Sequence, residues 1–217
     1  MQGNFRAMLN NLTISILSVV FVFFATPSGF AETDVSFSNR HTVRVATSGS
    51  DDSFYLTRAE AIIDYDSSRL GRTVKILPFF EYQHNLETGA WWRKESGVEV
   101  GTSFFNNSFY YGASFQHAWQ QEENYSVESL GETTEWESRF VISPPIPWGI
   151  FKDKLKLRLF DEYTYDFTRG QGTFNEVGVI FDWQILEGVR LPFGWRHIDR
   201  IHDFDSDMLE FSLAFSF

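Results

Sequence analysis

The stretch Leu209 to Phe217 alternates: Leu209, Phe211, Leu213, Phe215 and Phe217 are separated by Glu210, Ser212, Ala214 and Ser216. A period of two belongs to a strand, whose successive side chains point to opposite faces; a helix repeats every 3.6 residues. The same pattern returns along the chain. Leu155, Leu157, Leu159, Tyr163 and Tyr165 oppose Lys154, Lys156, Arg158 and Glu162, with only Asp161 out of step. Val189, Leu191, Phe193 and Trp195 oppose Arg190, Pro192, Gly194 and Arg196, and Val177, Val179, Phe181 and Trp183 oppose Glu176, Gly178 and Asp182. Phe109 to Gln116, Trp136 to Ile142 and Tyr55 to Tyr65 behave alike. Weaker segments near 36–47, 73–83 and 96–105 bring the tally to ten strands, with eight as the alternative, each about ten to thirteen residues long. Beyond residue 31 no stretch keeps a helical period or stays apolar for about eighteen residues.

Leu12 to Ala25 is a charge-free apolar run preceded by Arg6 and followed by Pro27, shorter than the roughly twenty residues a spanning helix needs. Gly29 and Ala31 then supply the small residues a signal peptidase accepts. The expectation is a signal peptide over 1–31, cleaved after Ala31, and a single domain over 32–217.

Together with this front, the closing strand with its terminal aromatic resembles bacterial outer-membrane β-barrel proteins. The resemblance implies an all-β, antiparallel, up-and-down transmembrane barrel, porin-like in architecture, located in the outer membrane. It also makes Phe211, Leu213, Phe215 and Phe217 an assembly signal read by the barrel-assembly machinery, with outer-membrane lipid and lipopolysaccharide as neighbours. A structural or narrow-channel role follows, with small ions or solutes as candidate partners and no cofactor expected.

Periodicity does not say which face is wet. A soluble periplasmic lipocalin-like binding protein alternates in the same way with its apolar face inward. Aromatics near the strand ends, among them Tyr55, Tyr65, Trp119, Tyr163, Trp183 and Trp195, favour the membrane version. The other face would then line the lumen with Arg58, Glu60, Lys75, Glu81, Glu99, Glu135, Glu137, Arg139, Lys156, Arg158, Glu162, Glu176, Arg190 and Arg196. Such charges must pair across neighbouring strands, giving either a salt-bridged plug or a thin charged pathway. Pro78 and Pro192 lie within proposed strands, where bulges are expected to absorb the missing N–H.

The net charge of −11 argues against nucleic acid, and the absence of cysteine removes disulfides and thiolate chemistry. Carboxylates gather at the outer rim, Asp51, Asp52, Glu122, Glu123, Glu128, Asp199, Asp203, Asp205 and Asp207; the spacing Asp203, Asp205, Asp207 lacks the glycine and final glutamate of a calcium loop, so no metal site is assigned. An outer-membrane hydrolase acting at the outer leaflet is the enzymatic alternative. It would draw on His197 and His202 beside Asp199 and Asp203; Ser126 and Ser129 carry no nucleophile signature.

Overall fold

A computed structural model describes residues 33–48, 53–67, 71–120, 131–146, 154–201 and 205–217. The signal segment, Asp51, Asp52, Glu122, Glu123, Ser126, Glu128, Ser129, Trp148, His202 and Asp203 lie outside them. Ten strands follow in order: β1 (Thr33–Ser48), β2 (Phe54–Ser67), β3 (Arg72–Asn85), β4 (Trp91–Phe104), β5 (Phe109–Gln120), β6 (Glu132–Ile142), β7 (Leu155–Asp166), β8 (Gln171–Leu186), β9 (Val189–Arg200) and β10 (Asp205–Ser216). Each pairs antiparallel with its sequence neighbour, and β1 pairs with β10 from Ser38↔Ser216 to Ser48↔Asp207, so the sheet closes into a barrel. Closure leaves no strand edge unpaired. The two backbone bonds between Phe37 and Phe217, at 3.1 and 2.9 Å, finish the seam.

Register decides the faces. On β10 the odd residues Leu209, Phe211, Leu213 and Phe215 point out, and Met208, Glu210, Ser212 and Ala214 point in. The outward set is exposed, with Phe115 at 60%, Phe37 at 59% and Phe211 at 54%. The inward set includes charged groups with almost no exposure, Glu135 at 1% and Glu99 at 3%. A soluble barrel has the opposite polarity, because exposed phenylalanines over most of a surface have no place in water. A closed antiparallel barrel that is apolar outside and charged inside is the solution for a hydrocarbon solvent, where every backbone group must bond within the sheet.

One expectation is corrected. No register shift occurs at Pro78 or Pro192; the four shifts lie at Ala46/Ser48, Gln83/His84, Thr164/Tyr165 and Gln184/Leu186. Instead the ladder lapses on one side only. The β2–β3 pairing skips from Glu60↔Phe79 to Ile63↔Ile76, and β10–β9 skips from Phe211↔Phe193 to Ala214↔Arg190, both without a change of register. Each proline still has a Cα partner on the other side, Val98 or Asp182. The missing N–H therefore costs a local gap, and no residue is inserted.

Link lengths do not separate the two ends. The β3–β4 link is short, 86–90, since β3 and β4 run further than their alternation shows. The two longest links, 121–131 and 143–154, sit at opposite ends. At the end carrying Thr33 and Phe217, here the terminal end, the β4–β5 turn uses positive φ at Phe105, Asn106 and Asn107 (50°, 55° and 64°). Asparagine tolerates this conformation better than most residues. At the far end one turn is built twice, as Asn85-Leu-Glu-Thr-Gly89 and Asp166-Phe-Thr-Arg-Gly170. The Asn85 side-chain oxygen accepts from the N–H groups of Glu87 and Thr88, and that of Asp166 from Thr168 and Arg169. Each turn ends in a glycine at φ 69° whose N–H bonds back four residues, so a buried inward side chain both caps the turn and lines the interior.

Candidate functional site: the ion-paired interior

Alternation on ten strands places a ring of guanidinium and carboxylate groups on the inner wall. Arg58 on β2 meets Glu60 at 3.1 Å, Glu81 on β3 at 3.8 Å and Glu99 on β4 at 3.7 Å. Its guanidinium lies over Phe79, 3.9 Å from the ring centre. Glu99 is shared with Arg139 on β6, at 3.4 Å, and Arg139 also holds Glu137 at 3.2 Å and Glu162 on β7 at 2.7 Å. On β8, Glu176 pairs with Arg196 of β9, which reaches Glu210 of β10 at 2.7 Å; Glu210 in turn takes Arg44 of β1 at 2.9 Å. Glu162 and Glu176 are Cα partners, so the two arcs abut and the charges form a belt around the wall.

The belt rests on steric fit as well as charge. Gly101 and Gly112 face each other across β4 and β5, and Tyr110 lies over both, its hydroxyl donating to Glu99 at 2.6 Å. A Cβ on Gly101 would sit 2.1 Å from that hydroxyl oxygen. Only glycine leaves room for the ring.

Smaller groups flank the belt. Towards the far end, Glu135 accepts from Arg93 at 2.6 Å, Thr133 at 2.7 Å and Gln116 at 3.1 Å, while Arg93 also pairs with Glu95. Towards the terminal end, Asp182 takes both Arg158 (3.0 Å) and Arg190 (2.9 Å), and Lys75 takes Asp64 (2.8 Å). Lys156 stands at the strand end, exposed and in register with Asp182.

Sequence reasoning did not single out Arg40, Arg44, Arg93, Glu95, Tyr110, Asp182 or Glu210. Strand parity was available for each, and their partners lie on other strands, so only pairing shows what they hold. It also treated the inner face as polar, whereas Phe54, Leu56, Ile198 and Met208 form a buried apolar cluster inside, with Ala46 and Phe174 packed against it. These residues sit at the far ends of β1, β2, β8, β9 and β10, and Arg44 caps Phe54 at 5.4 Å.

Among the described residues the histidines stay outside this interior. His41 shares a hydrogen bond with Tyr55, whose hydroxyl also accepts from Thr57 at 3.1 Å, so polar groups on the outward face satisfy one another. His197 Nδ1 is 3.1 Å from Asp207, but the nearby Ser48 hydroxyl donates to Asp207 at 2.7 Å. A serine on the carboxylate is not positioned for activation by the imidazole, so the order nucleophile, base, acid is not formed. Among the described residues no three His, Asp or Glu side chains are grouped to hold a metal.

Architecture and polarity define the fold class: an all-β, ten-stranded, closed antiparallel barrel, apolar outside and charged inside, the arrangement that membrane-spanning β-barrels take. In shape the chain is similar to the translocator domain of the autotransporter NalP from Neisseria meningitidis, at 9% identity and TM-score 0.47, covering 95% of this chain and 96% of that one. It is also similar to the KdgM porin solved with disordered oligogalacturonate, at 8% identity and TM-score 0.43, covering 84% of this chain and 99% of that one. The NanC porin is a third, at 6% identity and TM-score 0.42, covering 84% and 99%. No protein-family model matches the sequence, and no curated protein does.

Proposed function

We propose that this chain is an integral structural protein of the outer membrane whose interior is closed to bulk solute flow by its own ion pairs. The supporting observation is the burial of paired charge on the inner wall: Glu135 is 1% exposed, Glu99 3%, Glu210 4% and Arg58 7%. A water-filled pore would wet these groups. Guanidinium groups keep their charge at any relevant pH, so the belt does not open by losing its cations. The terminal end faces the periplasm in this reading, since an even strand number returns the chain to its side of entry. Delivery relies on the signal segment ending at Ala31, and insertion on Phe211, Leu213, Phe215 and Phe217 as the signal for the assembly machinery.

Single-channel recording on the refolded barrel in planar bilayers tests the closed interior. Insertions should be electrically silent. A stable ohmic step accompanying each insertion would replace the structural role with that of a narrow channel.

A further inference from the structure

Near the far end, Lys94 of β4 points out of the barrel, flanked in register by Tyr82 of β3 and Trp119 of β5. Its ammonium lies 4.1 Å from the Trp91 ring centre and 5.5 Å from that of Tyr82. Among the described residues it has no carboxylate partner. The outward carboxylate in the same row, Glu132, which is in register with Trp119, stands 3.7 Å from His117. His84 packs on Tyr82 at 5.9 Å and on Tyr55 at 5.0 Å, and His117 meets Trp119 edge-on at 4.6 Å. A fixed cation thus sits within a patch of Tyr, Trp and His side chains of the kind that marks a membrane interface.

Lys94 thus presents an ammonium on the lipid side with aromatic rings and, among the described residues, no acid against it. From this we infer that Lys94, with Tyr82, Trp91 and Trp119, forms a binding site for the phosphate-bearing headgroup of an outer-leaflet lipid. The aromatic rings hold the ammonium at interface depth by cation–π attraction while its three donors remain available to the oxygens of a headgroup phosphate. The site rests on the membrane placement proposed above and is independent of whether the interior conducts.

Native mass spectrometry of the full chain, released from phosphatidylcholine nanodiscs, tests the site. The discs carry equal amounts of a bis-phosphorylated glycolipid and the same lipid stripped of phosphate. The wild type should retain the phosphorylated lipid about five-fold over its partner, the factor expected for one lysine near an anionic surface. Lys94→Gln should bring the ratio to parity, and Lys94→Arg should preserve it. Arg72→Gln is the control, because Arg72 is also held over a ring, Phe104 at 4.2 Å, but at the terminal end. It should keep the preference. Equal retention by the wild type, persistence in Lys94→Gln, or loss in Arg72→Gln overturns the site. A chain that does not enter the discs overturns the membrane placement and the site with it, and the absence of insertion tells that failure apart.

Discussion

Replacing Arg139 with methionine keeps the long stem and removes the charge that Glu99, Glu137 and Glu162 share, at 3.4, 3.2 and 2.7 Å. Glu99 retains Arg58 at 3.7 Å and the Tyr110 hydroxyl, so the uncompensated carboxylates are chiefly Glu137 and Glu162. The Arg139 side chain is 21% exposed and that of Glu162 13%, well inside the range where water does little screening. Removing one member of such a buried pair costs about 3–5 kcal/mol, most of it the penalty of the charge left behind. The assay is reversible urea unfolding in lipid vesicles, followed by tryptophan fluorescence and by the mobility of unheated samples on a gel. Adding Glu162→Gln to Arg139→Met should recover roughly 1–3 kcal/mol, since the two side chains share one network. A loss below about 1 kcal/mol, or strict additivity in the double variant, is what exposed ion pairs give and would refute a water-excluded belt.

Gly101→Ala should displace Tyr110 and cost about 1–3 kcal/mol in the same unfolding assay, with Glu99→Gln added to show whether the Tyr110 bond is already lost. Exchanging Asn106 for valine places a β-branched residue at φ 55° and should cost about 1–2 kcal/mol, while Asn106→Gly should be close to neutral. Deleting Phe217 removes both seam bonds to Phe37, worth roughly 1–3 kcal/mol together, and should lower the fraction of heat-modifiable barrel recovered from cells. N-terminal sequencing of the envelope-bound protein should begin Glu-Thr-Asp, as cleavage after Ala31 requires.

The strands were legible because alternation is a local property. Leu155 to Tyr165 and Val189 to Arg196 declare two faces without any knowledge of their neighbours. What is not local was missed for physical reasons. Pro78 and Pro192 looked like sites of insertion, yet pairing shows an interrupted ladder on one side, which no single-strand pattern encodes. The turns at 86–90 and 167–170 are tight because Asn85 and Asp166 cap them from inside the barrel, and the shortness of the first follows from strands that outrun their hydrophobic pattern. Phe54, Leu56, Ile198 and Met208 share the parity of charged groups, so only their convergence from separate strands identifies an apolar patch within the interior. The ion pairs depend in the same way on register: Glu99 serves both Arg58 and Arg139 because β2, β4 and β6 bring them within reach.

The central claim joins an apolar exterior to a closed interior, and one scan along β10 addresses both. The chain has no cysteine, so single substitutions from Leu209→Cys to Ser216→Cys can each carry a nitroxide label in lipid vesicles. Collision with oxygen, which partitions into the bilayer, should be high at 209, 211, 213 and 215 and low at the positions between. Collision with a water-soluble nickel chelate should be low at every one of these sites. Chelate access at Glu210, Ser212 and Ala214 would show a wet lumen, and a reversed alternation in oxygen access would contradict the membrane barrel itself.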